Sequence, residues 1–415
     1  MSVEHALVLL FALVLGNYWL SRSVLYPPLW FCAMWLLDLG LYWLNLTPVD
    51  EIHPQTIAVI GFGALLFSTG GFLALYLPSN LFTAQFVITR FPQRNNIVKP
   101  AVTLFILAGV PIMVRNLLAM AATGYGTTIM QRARTGEADT NPFATYFMLW
   151  STYAATLFLL ERRDKYFWLM AGIALVAGVL STGRLPIFML VGSLVCVHLI
   201  VTGRHTLRVA FAFARLPVIG FLILFFGLFF TNKDTSIFEA SGIGELLIIF
   251  FVGYVVGPTA ALDVFLQNPN NYPEAPNHTF RFFLGIATHF HLANYIAPSP
   301  ELHIDVPFPT NVYTVYRTYI QDFGLYGALA AMAVIGLLHT MLYRKARTGS
   351  RLGIYFFAAT FYQVLMVIFS DEYASFGTYI DLTLFAAIYI ALRSLPLRIL
   401  PRVGTGYGTR DPIKV

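Results

Sequence analysis

Long apolar runs, one after another and joined by short polar links, constrain this chain more than any other feature. They occur at 5–21, 26–46, 55–77, 100–122, 143–160, 166–181, 185–201, 208–230, 320–342, 353–370 and 377–395, with a twelfth at 242–266. A helix rises about 1.5 Å per residue, so about 20 apolar residues cross the ~30 Å hydrocarbon layer of a bilayer. No water is present there to satisfy backbone N–H and C=O groups, so such a segment folds as a helix. Composition agrees: 58% of the 415 residues are hydrophobic and 11% are charged, against about 25% charged in soluble domains. The sequence therefore predicts an all-α polytopic membrane protein with 11–12 transmembrane helices. Residues 1–415 form a single transmembrane domain, with no polar stretch long enough for a soluble one. No basic n-region or small-residue cleavage site marks residues 5–21, which read as an uncleaved first span.

The charges set the expected orientation. The net charge is +6, but the basic residues sit in short loops rather than in one stripe, which argues for topology control and against a nucleic-acid surface. Arg90, Arg94 and Lys99 precede the fourth span, and Arg162, Arg163 and Lys165 follow the fifth. Arg204 and Arg208 follow the seventh, and Arg344, Lys345, Arg347 and Arg351 follow the span at 320–342. The excess of positive charge predicts a cytoplasmic location for these loops and for the C-terminal tail with Arg393, Arg398 and Arg402. The loop at 47–54, the turn at 181–184 and the loop at 371–376, with Asp371 and Glu372, then fall on the opposite side. Cys32 and Cys196 both lie in apolar runs and imply neither a disulfide framework nor a metal site.

One stretch breaks the alternation. The chain leaves the span at 208–230 on the outer side and must also be outside before 320, so residues 231–319 begin and end outside. The run 242–266 is then expected to be interfacial or re-entrant, or else to cross and return through 278–296. The first arrangement is favoured, because QNPNNYPEAPN at 267–277 has no Lys or Arg to hold it inside. The result is an external segment of nearly ninety residues, and loops of that length are usually functional.

Several polar groups are expected near the outer end of the bundle. Arg115 lies inside the fourth span, where an arginine is costly unless it snorkels, meets a partner or faces a wet cavity. Arg132 and Arg134 lie in an outer loop that also carries Glu137 and Asp139. Arg184 sits in LSTGRLPIF between a helix end and a helix start, where it either caps the preceding helix or joins the next helix's dipole in facing an anion. NHTFRFFLGIATHFHLANYI at 277–296 reads as an amphipathic surface helix with His278, Arg281 and His289 on one face. PFPTNVYTVYRTYIQDFGLYGAL at 307–329 gathers Asn311, Tyr313, Arg317 and Asp322 near the mouth of a span. An interfacial Tyr/Arg belt would have the same composition. No carboxylate joins the histidines at ligand spacing, so no metal is expected.

Guanidinium forks match phosphate oxygens in a bidentate manner. A substrate with its lipid in the bilayer and its pyrophosphate at the interface, such as an undecaprenyl-pyrophosphate-linked oligosaccharide, suits arginines gathered at one end. Transfer of its sugar requires a neutralised leaving pyrophosphate and a deprotonated acceptor hydroxyl. NVYTVYRTYIQDFGLYG resembles the signature of oligosaccharide repeat-unit polymerases, the Wzy-type O-antigen polymerases. STGRLPIF, the QRARTG loop and the HTF-containing external segment have similar features at comparable places. The resemblance implies a GT-C-like glycosyltransferase of the bacterial inner membrane that joins repeat units at the periplasmic face without metal, nucleotide or other cofactor. By the same resemblance donor and acceptor are both lipid-linked, the surroundings are membrane lipid, and a chain-length regulator is the implied protein partner. Arg184, Arg317 and the Arg132/Arg134 loop would hold pyrophosphate, with His289, His278 and Asp322 as base candidates in that order. Two alternatives stand beside it. One is an O-antigen ligase, built on a similar bundle. The other is a flippase or transporter, to which Asp38 and Asp381 inside spans give some support.

Overall fold

The computed structural model describes residues 1–46, 49–78, 97–122, 142–180, 184–203, 243–268, 277–294, 304–306, 309–310 and 313–394. Among the described residues, seven helices come first: α1 (Val3–Ser21), α2 (Pro27–Trp43), α3 (Pro54–Tyr76), α4 (Val98–Ala122), α5 (Pro142–Glu161), α6 (Lys165–Leu180) and α7 (Arg184–Thr202). They are followed by α8 (Ile243–Gln267), the short α9 (Arg281–His289) and a two-residue antiparallel pairing of β1 (Ile304–Asp305) with β2 (Pro309–Thr310). The chain then forms α10 (Tyr316–Arg347), α11 (Arg351–Thr360), α12 (Tyr362–Leu365) and α13 (Phe376–Ser394).

Local chemistry explains the helix starts. Proline opens α2 and α3, where its fixed φ suits the first turn and its missing N–H has no partner to lose. Ser2 and Ser350 accept backbone N–H groups at the starts of α1 and α11. The start of α3 is completed from another helix: Asp263 of α8 accepts the His53 N–H at 3.0 Å and the Thr56 hydroxyl at 2.5 Å. That places a carboxylate at the positive end of the α3 dipole.

α3 and α10 form the central pair. Their backbones touch at small residues: a Cβ on Gly70 would collide with the Ala333 carbonyl, and one on Gly336 with the Phe67 carbonyl. Arg344 donates to the Ala74 and Leu77 carbonyls at the end of α3. α1 and α2 pack on this pair, pinned by Asn17, which donates to Pro28 O at 3.3 Å and Ser68 Oγ at 3.0 Å. α4, α5, α6, α7 and α11 form the other part of the bundle. A buried ion network closes its basic end. Lys99 lies 2.8 Å from Asp164 and 3.4 Å from Glu161, and Arg393 at the end of α13 lies 2.7 Å from Glu161.

Six helices are long and apolar enough to cross a membrane: α1, α3, Val98–Arg115 of α4, Leu185–Thr202 of α7, α10 and α13. Lys165–Gly178 and Val255–Gln267 are shorter apolar helices. The chain is therefore all-α and multi-pass, with six such helices among the described residues rather than a demonstrated eleven or twelve. The run 208–230 lies outside the described residues.

Two runs differ from simple spans. The 353–370 run is divided into α11 and the single turn α12, together Arg351 to Leu365. At about 1.5 Å per residue these fifteen positions rise ~22 Å, short of the ~30 Å layer. The following connection is consequently recessed into the bundle, where Tyr373 meets His339 of α10 at 2.8 Å and packs beside Phe67 of α3. α10 is also not one rod. Gly324, at φ 69° and ψ −178°, separates a short segment from Tyr316 to Phe323 from the long helix that follows. A side chain does not tolerate that backbone region.

The 242–266 run becomes α8. Val252, Val255, Val256, Ala260, Ala261, Leu262, Phe265 and Leu266 are buried, and the helix packs on α2, α3 and α10. It is an element of the bundle over this half, whereas α9 has no buried residue.

Candidate functional site

The end of the bundle where α13 begins brings together polar side chains from distant parts of the sequence. The short first segment of α10 supplies Arg317, Tyr319 and Asp322, and the recessed connection supplies Asp371 and Glu372. α9 lies across this end. Its Phe280 and Phe283 rings sit 6.1 and 5.1 Å from Phe376, and Phe280 is 6.4 Å from Phe323.

Arg317 and Tyr313, both selected from sequence, are in direct contact. The guanidinium lies 3.8 Å from the Tyr313 ring centroid and 5.6 Å from the Phe265 ring of α8. Stacking on aromatic faces holds a guanidinium plane in place while leaving its edge donors directed sideways. Asp322 is buried and accepts the backbone N–H groups of His278 at 3.1 Å and Thr279 at 2.5 Å. It ties the turn before α9 to α10, which is a positioning contact. His278 is half-buried, while Arg281 and His289 are exposed on α9. Arg281 acts electrostatically on Glu372.

The other selected residues stand apart or are not described. Arg115 is exposed on α4, which packs against α5, α6 and α13. The backbone of Arg184 opens α7, but its side chain lies outside the described residues, as do Arg132, Arg134 and Asn311. No group of three or more His, Cys, Asp or Glu at metal-binding spacing occurs among the described residues.

In the sequence the recessed connection is only a topological marker, yet it carries an extended polar network among the described residues. Asp371 Oδ1 accepts the Tyr319 hydroxyl at 3.2 Å and the N–H groups of Tyr373 and Ala374 at 3.0 and 3.3 Å. Its Oδ2 is enclosed and has no hydrogen-bond partner within range among the described residues, with the Thr318 hydroxyl alongside. Burial pushes the Asp371 carboxyl up to about 7, against hydrogen bonds that favour the ionised form. Burial also raises Glu372, opposed by the Ser370 hydroxyl at 2.8 Å and the charge of Arg281. Gln363 of α12 donates to the Glu372 carbonyl at 3.1 Å and accepts the Tyr379 hydroxyl of α13 at 2.8 Å. A glutamine inside an apolar run, followed by Ser-Asp-Glu-Tyr, was the available sequence signal.

Together these groups offer a stacked guanidinium, a second arginine on an amphipathic helix, and a carboxyl whose proton affinity lies near neutrality. Such a set can bind an anionic group and exchange a proton. No family model, no curated protein and no solved structure matches this chain.

Proposed function

We propose that the protein is a membrane glycosyltransferase that joins undecaprenyl-pyrophosphate-linked oligosaccharide repeat units at the periplasmic face of the bacterial inner membrane. The observation that carries this reading is that Arg317, stacked on Tyr313, shares a short helical segment with Tyr319, which bonds Asp371, while Arg281 of α9 acts on the neighbouring Glu372, all at the end of the bundle opposite the Lys99–Glu161–Arg393 network. A lipid-linked pyrophosphate keeps its chain among the helices and its charge at their ends, where stacked arginines meet it as it leaves. The same group of arginines would include Arg184, and the Arg132/Arg134 loop would add to it. The product is O-antigen, capsule or exopolysaccharide, and the C-terminus is cytoplasmic in this reading.

A gel of surface polysaccharide tests it. Arg317→Ala and Arg184→Ala, expressed in a strain lacking the native chain, should each lose the polymer ladder and retain a single repeat unit at unchanged protein level. Full ladders in both variants would overturn the pyrophosphate-clamp reading. A ligase would instead lose all repeats while lipid-linked polymer accumulates.

A transport reading has one observation of its own. Asp38 is fully buried within α2 and accepts the Thr259 hydroxyl of α8 at 2.8 Å, one turn from Asp263 and its partner His53. Under that reading Asp38→Asn would block translocation and leave no repeat unit at the outer face, an outcome that the same gel separates from a polymerase defect.

A further inference from the structure

We propose that Asp371 is the group that takes the proton from the acceptor hydroxyl, with Tyr319 positioning it; this rests on the polymerase reading above. The geometry is that of a base with one oxygen anchored and one in reserve. Tyr319 and the two amides of the Tyr373–Ala374 turn all converge on Oδ1. They fix the carboxylate plane and leave Oδ2, which no described residue hydrogen-bonds. A buried carboxylate oxygen without a donor is costly to maintain in a purely structural carboxyl. It is what a group requires if it is to meet the hydroxyl of a bound ligand.

The other base candidates, Asp322 and His289, serve less well. Asp322 has both oxygens committed to backbone N–H groups, and His289 is exposed at the end of α9. Asp371 also has the setting that a base needs. Arg281 acts on the adjacent Glu372, so a cation suited to the negative pyrophosphate lies near the proposed proton acceptor without bonding it.

The step balances without any added reagent. The acceptor hydroxyl oxygen forms the new bond to the anomeric carbon of the donor sugar while the bond from that carbon to the pyrophosphate oxygen breaks. The leaving pyrophosphate carries away the bonding pair, and the hydroxyl proton passes to Asp371 Oδ2 and then to water. The charged and titratable groups facing Asp371 are Tyr319 on α10, Glu372 and Tyr373 in its own connection, and Tyr379 on α13. His339 of α10 bonds Tyr373, and Arg281 of α9 reaches it through Glu372.

The test uses the full-length protein in detergent or nanodiscs with the host's own lipid-pyrophosphate-linked repeat unit. Asp371→Asn keeps the shape of the side chain and should lower turnover by about 10²–10⁴-fold, with the unmodified repeat unit still binding and the thermal transition of the protein retained. Tyr319→Phe removes one donor to the ionised form and should move the acidic limb of the pH–rate profile to higher pH, which a merely structural contact would not do. Full turnover in Asp371→Asn, with Arg317→Ala inactive, would overturn Asp371 as the base and leave the polymerase reading intact. If both variants retain full turnover, the base assignment and the pyrophosphate clamp fall together; if the unsubstituted protein shows no turnover, the polymerase reading itself falls. An Asp371→Asn chain that fails to fold hands the decision to Tyr319→Phe, whose unshifted pH profile would overturn the proposal.

Discussion

At the residue scale, the recessed carboxyl is the clearest case of environment remaking a side chain. In an exposed loop Asp371 would be an ordinary aspartate, but burial beneath α10 lifts its carboxyl to about 7. A group whose folded pKa is raised favours the folded state fully below its unfolded value, about 3.9, and that contribution is lost as pH rises through the folded value. The thermal midpoint of the purified protein should therefore fall as pH rises from about 4 to 7, and Asp371→Asn should flatten that part of the curve. Scanning calorimetry or intrinsic fluorescence across this window checks it, and an identical slope in the variant would place the titration elsewhere. Arg317 and Tyr313 show the complementary lesson. Both were legible as an aromatic–arginine motif at a span mouth, and the structure stacks them at 3.8 Å.

At the element scale, two interruptions make the site possible. The Gly324 break lets the Tyr316–Phe323 segment leave the axis of the long helix, so that Tyr319 and Asp322 reach the recessed connection and the turn before α9. Gly324→Ala should cost about 1–3 kcal/mol of stability, because φ near 70° with extended ψ is essentially a glycine region. Straightening of α10 should then release α9, read as increased hydrogen exchange across 277–290. Full protection in the variant would show that the bend is held by packing alone. The glycine contacts between α3 and α10 are steric and not conformational. Gly336→Val should separate the two helices and lower yield far more than the same change at Gly285, whose Cβ would meet nothing within 4 Å.

At the scale of the whole molecule, the two ends of the bundle differ in chemistry. One is closed by Lys99, Glu161, Asp164 and Arg393, and the other carries Arg317, Asp371 and α9. Reporters fused after residues 163, 348 and 396 should give a cytoplasmic signal, and fusions after 270 and 372 a periplasmic one. A cytoplasmic signal after 270 would mean that α8 completes a crossing which the loop charges do not register. Excess Lys and Arg on the cytoplasmic side predicts this sidedness, and the gathering of Lys99 and Arg393 around Glu161 at one end is in keeping with it.

The apolar runs by themselves determined that the chain is helical and multi-pass, because a backbone without water satisfies its polar groups only within a helix. They also located most helices to within a few residues, as with α3 and α13, since proline starts and hydrophobic length are local properties. Local signals likewise marked the Tyr313–Asp322 stretch as unusual. Only the tertiary structure decided that the 353–370 run stops short, that Asp371 and Glu372 are recessed rather than solvated, and that Asp322 serves a backbone turn 43 positions earlier in the sequence. Those properties depend on how deep a loop is set and which helix faces it. A short acidic loop reads the same in sequence whether water or protein surrounds it, and the difference arises only when the neighbouring helices exclude that water.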